Sequence, residues 1–262
     1  MMSKVMYDEF YFPPINDNEK FEVLEEFYKT YDSRGKYDGN IFCPECTKAE
    51  LKFTPEAKSH RAFLSAIDAN QHDLGCSYKY DVSSTRRTRA YFERLSDSQV
   101  QDKMASILRM LNRQNNVGGA GSSYVPGPSN NPFVLEFDDN QSSRVRRSLP
   151  RRNLDKTLKK EDADLLYAFY AKGAKLEVEI KPNDDPAKKT IFYLHIETTS
   201  GKKYRIYRGI HQDDVSTNSL YDVVLIGSFQ EQTLSFARKH INLIERETKY
   251  GLKPNQFAIA IQ

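Results

Sequence analysis

All three cysteines of this 262-residue chain lie between Cys43 and Cys76, together with His60 and His72, two of its five histidines. Cys43 and Cys46 have C-x-x-C spacing, so one tight turn can bring two thiolates to a single ion, and Pro44 helps to set that turn. His72 and Cys76 are separated by three residues, which places them one helical turn apart or on either side of a short loop closed by Gly75. Two thiolates from one pair, with an imidazole and a thiolate from the other, form a usual ligand set for tetrahedral structural zinc. A soft, thiolate-rich set favours Zn2+ over Mg2+ or Ca2+. His60 competes for the fourth position. His72 is preferred because ligands paired closely in sequence lower the loop-closure cost. A redox reading of C-x-x-C needs a βαβ context, whereas Pro and charged residues surround it here. The odd cysteine count also argues against a disulfide framework.

Composition bounds what surrounds this cluster. Apolar residues make up 39% of the chain, below the roughly 45–50% of globular domains. Charged residues make up 29%; 16 Tyr and 15 Phe, with no Trp, partly offset this polarity. A chain this polar suggests small domains or long exposed segments rather than one large core. The net charge of +3 is small, so its distribution matters more than its sum. No run of 18 apolar residues suggests a membrane span. Met1–Phe12 lacks the apolar stretch of a secretory signal. With reduced cysteines, the expectation is a cytoplasmic protein.

The elements that must position the cluster follow in order. A zinc-binding N-terminal domain with flanking helices is expected over 1–114. Asn16 or Asp17 can cap a helix over Glu19–Tyr31, whose Phe21, Leu24, Phe27 and Tyr28 share one face. Leu51–Thr54 reads as a short strand. So small a module needs metal ligation for much of its folding free energy. Ser96 and Gln99 form a capping box before Val100, Met104, Ile107, Leu108 and Leu111, which recur at helical spacing. Residues 115–143 are rich in Gly, Ser, Asn and Pro and read as a flexible linker, with the apolar island Phe133–Phe137 inside it.

Basic residues cluster on both sides of that linker. Arg86, Arg87 and Arg89 crowd one short stretch, with Tyr91 and Phe92 beside them. Residues 144–160 form a basic arm, where Arg144, Arg146, Arg147, Arg151, Arg152, Lys156, Lys159 and Lys160 face Asp155 alone. Such runs suit phosphates, bound with strong salt dependence and little sequence preference. A solvated face, or a docking strip for an acidic protein, explains them equally simply.

Residues 161–262 read as an α+β domain of order αββββαβ with a mostly antiparallel sheet. Its expected elements are a helix at Glu161–Ala171, strands at Lys175–Lys181, Ile191–Thr199, Lys203–Arg208 and Tyr221–Phe229, a helix at Thr233–Tyr250 and a strand at Phe257–Ile261. Alternation on the central hairpin places Lys203, Arg205 and Tyr207 on one face with Tyr193 and His195. Aromatic and cationic residues on an open sheet face can stack single-stranded bases, although ordinary cross-strand pairing needs the same residues.

Enzyme signatures are sparse. Glu179-Ile180-Lys181 is an E-x-K on a strand, with Asp162 and Asp164 upstream, superficially like a nuclease metal motif but in the wrong order. The deaminase signature is absent, as are the P-loop, G-x-G-x-x-G and G-x-S-x-G.

The order C-P-E-C, a strand with Phe53, His60 near Phe63, then His72 and Cys76 resembles the N-terminal zinc module of the bacterial competence protein CoiA-like family. The resemblance covers Cys43 to Cys76. Family members carry a compact H-F-x-H before the last cysteine, and here the histidines are more widely spread. In that family the module precedes a nuclease-like domain, so the resemblance implies a bacterial cytoplasmic protein that handles DNA. The reading as a whole is a non-catalytic, zinc-stabilised nucleic-acid-binding protein, with DNA ahead of RNA. The alternatives are a zinc-folded adaptor for an acidic protein and a metal-dependent nuclease.

Overall fold

The computed structural model describes residues 6–113, 127, 130–138, 144–156, 158, 166–183, 189–210, 212–230 and 235–236. The protein mixes helices with mostly antiparallel sheets. Its contacts group Met1–Ser83 with Met110–Leu149, and Ser84–Arg109 with Pro150–Gln262. Each unit is thus assembled from two stretches of chain, and these do not follow the sequence-based limits of 1–114 and 161–262. No helix among the described residues is long and apolar enough to cross a membrane.

In the first unit, β1 (Glu9–Phe12) pairs antiparallel with β2 (Asp17–Lys20). The 3-10 turn Pro13–Ile15 joins them, with Asn16 in the left-handed region at φ 53°. Helix α1 then runs from Phe21 to Tyr31. The sequence places its start at Glu19, but Glu19 pairs with Phe10 in the ladder. The helix therefore begins only where the strand ends. Strand β3 (Leu51–Thr54) lies where the sequence places it and pairs with β4 (Phe63–Ala66). Leu51 and Phe53 alternate into a core that also takes in Phe10, Phe12, Leu24 and Tyr37. The three cysteines belong to that same core. The apolar island of the expected linker becomes β5 (Val134–Asp138), paired antiparallel with β6 (Arg144–Ser148).

The second unit opens with α2 (Thr85–Glu93). After it comes α3 (Asp97–Arg113), which runs on past the limit of this unit at Arg109. The Ser96 amide donates to Gln99 Oε1 at 2.8 Å and the Gln99 amide donates to Ser96 Oγ at 3.3 Å, which is the expected capping box. Val100, Met104, Ile107, Leu108 and Leu111 are all buried.

The sheet of this unit contains β7 (Arg151–Asn153), β8 (Leu166–Lys181), β9 (Ile191–Glu197), β10 (Lys203–Gly209), β11 (Leu220–Gln230) and β12 (Ser235–Phe236). Strand β8 is long enough to serve two neighbours: Leu166–Lys175 pairs with β11, and Lys175–Lys181 with β9. With β10–β12 and β12–β11 pairing, the strands close into a ring β8–β9–β10–β12–β11, and β7 pairs with β8 outside it. Gly173, at φ +62°, lies at the register shift in the β8–β11 ladder, between Ala171 and Ala174. Inside the ring lie Phe169, Leu176, Leu194, Ile196, Ile206 and Val223.

The helix expected at Glu161–Ala171 is a strand from Leu166 onward, and the residues before Leu166 lie outside the described set. Leu166 to Ala171 are all buried: Tyr167, Phe169 and Ala171 belong to the core of the ring, and α2 packs against β8. A continuous apolar run fits a strand covered on both faces as well as it fits a helix. Ile180 also differs: it is expected inward but is 57% exposed near the end of β8. Of the later elements, Thr233–Tyr250 is described only at Ser235–Phe236, which is strand, and Phe257–Ile261 lies outside the described residues.

Candidate metal centre

The four predicted ligands come together. Cys43, Cys46, His72 and Cys76 are buried, and their ligand atoms all lie within 4.8 Å of one another. Cys43 Sγ is 3.7 Å from Cys76 Sγ. His72 Nδ1 is 3.5 Å from Cys46 Sγ and 3.4 Å from Cys76 Sγ. These separations are far longer than a disulfide bond, and all three cysteines are free. His60 is exposed, turns its Nδ1 toward its neighbour Arg61's carbonyl oxygen at 3.0 Å and rests edge-on to Phe63. It stands outside the cluster.

Local backbone explains the arrangement. The Thr47 amide donates to the Cys43 carbonyl at 2.9 Å, and Thr47 takes the left-handed conformation at φ 57°, closing the C-P-E-C turn. The Cys43 amide donates to Ala49 O at 2.8 Å, tying the turn to the start of β3. The second pair comes from a loop, with the Cys76 amide on Asp73 O at 3.0 Å. Lys48 and Asp73, each just beyond a ligand, form an ion pair at 2.8 Å across the two halves of the site.

Three thiolates cannot share so dry a site without a cation. Burial pushes the Cys43 and Cys76 thiols well above their ordinary range. Hydrogen bonds from Cys43 and then Cys76 hold the Cys46 thiol far below it. Burial thus works against bare thiolates here, and a bound cation would compensate their charge. The donor set fits a metal ion.

Three participants escape sequence reasoning. The Tyr7 hydroxyl lies 3.1 Å from His72 Nε2, and its ring stacks on Tyr78 at 4.4 Å between centroids. Glu45, inside the C-x-x-C turn, accepts from the Ser77 amide at 2.5 Å and from the Ser77 hydroxyl at 2.6 Å. Asn131 Nδ2 donates to Glu45 Oε1 and to Gly75 O, both at 2.6 Å. Spacing could flag Glu45, inside the C-x-x-C, and Tyr78, two residues past the last cysteine. Nothing local points to Tyr7 or Asn131.

The predicted nucleic-acid residues fare differently from one another. Arg86 and Arg87 are exposed on α2, and Arg89 is half-buried. On β6, Arg146 Nε donates to Glu136 at 2.8 Å, Arg144 stands 3.8 Å from the same carboxylate, and Arg147 stands 3.7 Å from Asp81. Arg151 and Arg152 are buried in β7, at 9% and 5% exposure, and Arg152 lies over the Tyr167 ring. The sequence expects both on an exposed basic arm, whereas both are buried residues of a strand. Lys203 is exposed and paired with Glu197 at 3.2 Å. Arg205 grips Glu179 with two hydrogen bonds, of 2.9 and 2.7 Å, and lies 3.5 Å from the centroid of the Tyr193 ring. Tyr207 faces Tyr193 in the β9–β10 register.

Glu179 also bears on the nuclease reading. Its carboxylate is held by Arg205 and by His195 Nε2 at 2.6 Å, which keep its carboxyl below the usual range. A carboxylate gripped by a guanidinium and an imidazole is poorly placed to take a metal. Asp162 and Asp164 lie outside the described residues. Comparison with protein-family models, with curated proteins and with solved structures finds no match.

Proposed function

We propose that this chain is a zinc-stabilised, non-catalytic nucleic-acid-binding protein that engages the phosphate backbone. Zinc is favoured by size. Bonds of about 2.3 Å to sulfur and about 2.0–2.1 Å to nitrogen, directed to tetrahedron corners, require S–S edges of about 3.8 Å and S–N edges of about 3.5 Å. Three of the six edges, at 3.7, 3.5 and 3.4 Å, are close to those of that tetrahedron. Four protein ligands leave no open position for substrate, which favours a structural ion over a catalytic one.

The observation that carries the binding half of the proposal is the pair Arg86 and Arg87. Both are exposed, with no ion pair among the described residues. They stand in the first turn of α2, and that turn has no acidic residue. Cations there oppose the helix dipole, at about 0.3–1 kcal/mol each. Neighbouring phosphates would offset that cost. The resemblance of residues 43–76 to the CoiA-like zinc module makes DNA the first substrate to try, in a bacterial cytoplasm.

The test is binding of labelled single- and double-stranded DNA across a salt series. For single strands, each phosphate neutralised contributes about 0.7 to the slope of log K against log salt. The Arg86→Ala, Arg87→Ala double variant should lower that slope by about 1.4. No binding at low salt, or an unchanged slope, would remove the proposal. A second reading has its own support: Arg144, Arg146 and Arg147 already pair with carboxylates of this chain, as they would with an acidic protein.

A further inference from the structure

The β5–β6 hairpin, which carries Arg144, Arg146 and Arg147, is fastened at its start to the loops that hold the metal ligands and at its end to the chain that leaves Cys76. At its start, Asn131 is buried and bridges Glu45 and Gly75, the residues just inside Cys46 and just before Cys76. The same side chain accepts the Phe133 amide at 2.9 Å, and Phe133 is fully buried immediately before β5. At the other end, the Ser148 amide donates to Asp81 O and the Ser83 amide to Ser148 O, both at 2.8 Å. Val82 and Ser148 form a parallel bridge on the chain leaving Cys76. Arg147 then reaches Asp81 from the hairpin side.

These contacts have one consequence. Glu45 can hold Ser77 and Asn131 together only while the C-x-x-C turn and the Gly75–Ser77 loop are side by side, and an ion binding both pairs of ligands would keep them there. We infer that metal occupancy controls the basic hairpin: with the ion bound, Glu45 and Asn131 dock β5–β6 and present its arginines; without it, the hairpin detaches. Glu45 and Asn131 are positioning residues, neither being a ligand. The last link, from docked hairpin to polyanion, rests on the function proposed above. The docking itself does not.

The coupling is read on the full chain by amide hydrogen exchange. Removing zinc from the wild-type protein with a chelator should speed exchange at 134–138 and 144–148, and ZnCl2 should restore it. The amides of β9 and β11 should not change. Asn131→Ala, which keeps all four ligands, should retain one zinc and still speed hairpin exchange by about tenfold, the effect of losing hydrogen bonds to a charged group. Glu45→Gln should give a smaller change in the same direction, since Gln keeps an acceptor. Unchanged hairpin exchange after zinc removal, or in a zinc-loaded Asn131→Ala protein, would overturn the inference. If Asn131→Ala fails to hold zinc, wild-type chelation and Glu45→Gln decide the matter alone. A single-stranded DNA oligonucleotide should raise zinc affinity by the same factor that zinc raises oligonucleotide affinity. If DNA does not bind at any salt, the proposed function fails and the exchange result still stands.

Discussion

His72 Nε2 lies 3.1 Å from the Tyr7 hydroxyl, a contact that spans 65 residues of chain. His72 Nδ1 faces Cys46 and Cys76. A metal on Nδ1 leaves the ring proton on Nε2, which then donates to the Tyr7 oxygen. The contact fixes both the tautomer and the ring plane, as an outer partner does for a ligating histidine. Tyr7 is itself held against Tyr78, two residues beyond the last cysteine.

Tyr7→Phe should therefore retain the fold and weaken metal binding by about tenfold to a hundredfold. Competition with a chromophoric chelator measures it. His60→Ala is the control and should leave affinity unchanged, because His60 stands outside the cluster. A metal affinity equal to wild type in Tyr7→Phe would show that the contact does not orient the ring.

Cys43→Ser and Cys76→Ser should each unfold the unit around the cluster and spare the strand ring. Structural zinc supplies on the order of 10 kcal/mol of apparent folding free energy in small modules, more than such a core can replace. Hydrogen exchange should show lost protection at β3 and β4 and retained protection at β9 and β11. Full protection with zinc still bound in both variants would mean that the ligand assignment is wrong.

The strand ring has its own sensitive point. Arg208 grips Asp213 with two hydrogen bonds of 2.5 and 2.6 Å, and both side chains are 1% exposed. Asp213→Ala leaves a guanidinium buried without its counter-charge, which should cost about 3–5 kcal/mol. Thermal melting followed at the β9–β11 amides should show the drop, with the metal unit unchanged. A melting point within a degree or so of wild type would mean that water reaches Arg208.

Tyr204 gives an alkaline signature. Its hydroxyl donates to Leu154 O at 2.8 Å, and burial, with the nearby Asp155 charge, pushes its pKa up to about 12. The fold favours the neutral phenol, whereas the unfolded chain releases the proton near pH 10. The contribution is complete below pH 10 and is lost as pH rises toward about 12. Denaturant midpoints should fall over that window, and less so in Tyr204→Phe. Identical slopes in the two proteins would remove Tyr204 as the cause.

Much of the metal centre was legible because its ligands are paired in sequence. C-x-x-C and H-x-x-x-C each act within one turn or loop, so spacing alone brings their atoms together. The Ser96–Gln99 capping box and β3 were legible for the same local reason. The ring of strands was only partly so. Leu166–Ala171 is apolar at every position because both of its faces are covered, and no residue nearby reveals what covers them. Asn131 and Tyr7 reach the metal loops from far along the chain, through hydrogen bonds that no local pattern encodes. Arg151 and Arg152 look like an exposed basic arm, yet a three-residue strand beside β8 buries them.

The most direct test of the account is native mass spectrometry of the purified full chain, before and after chelation, on wild type and His72→Ala. The account predicts one zinc per wild-type chain, with all three cysteines unmodified, and loss of that zinc in His72→Ala. A chain that carries no zinc after reconstitution, or a His72→Ala protein that binds it as tightly as wild type, would contradict it.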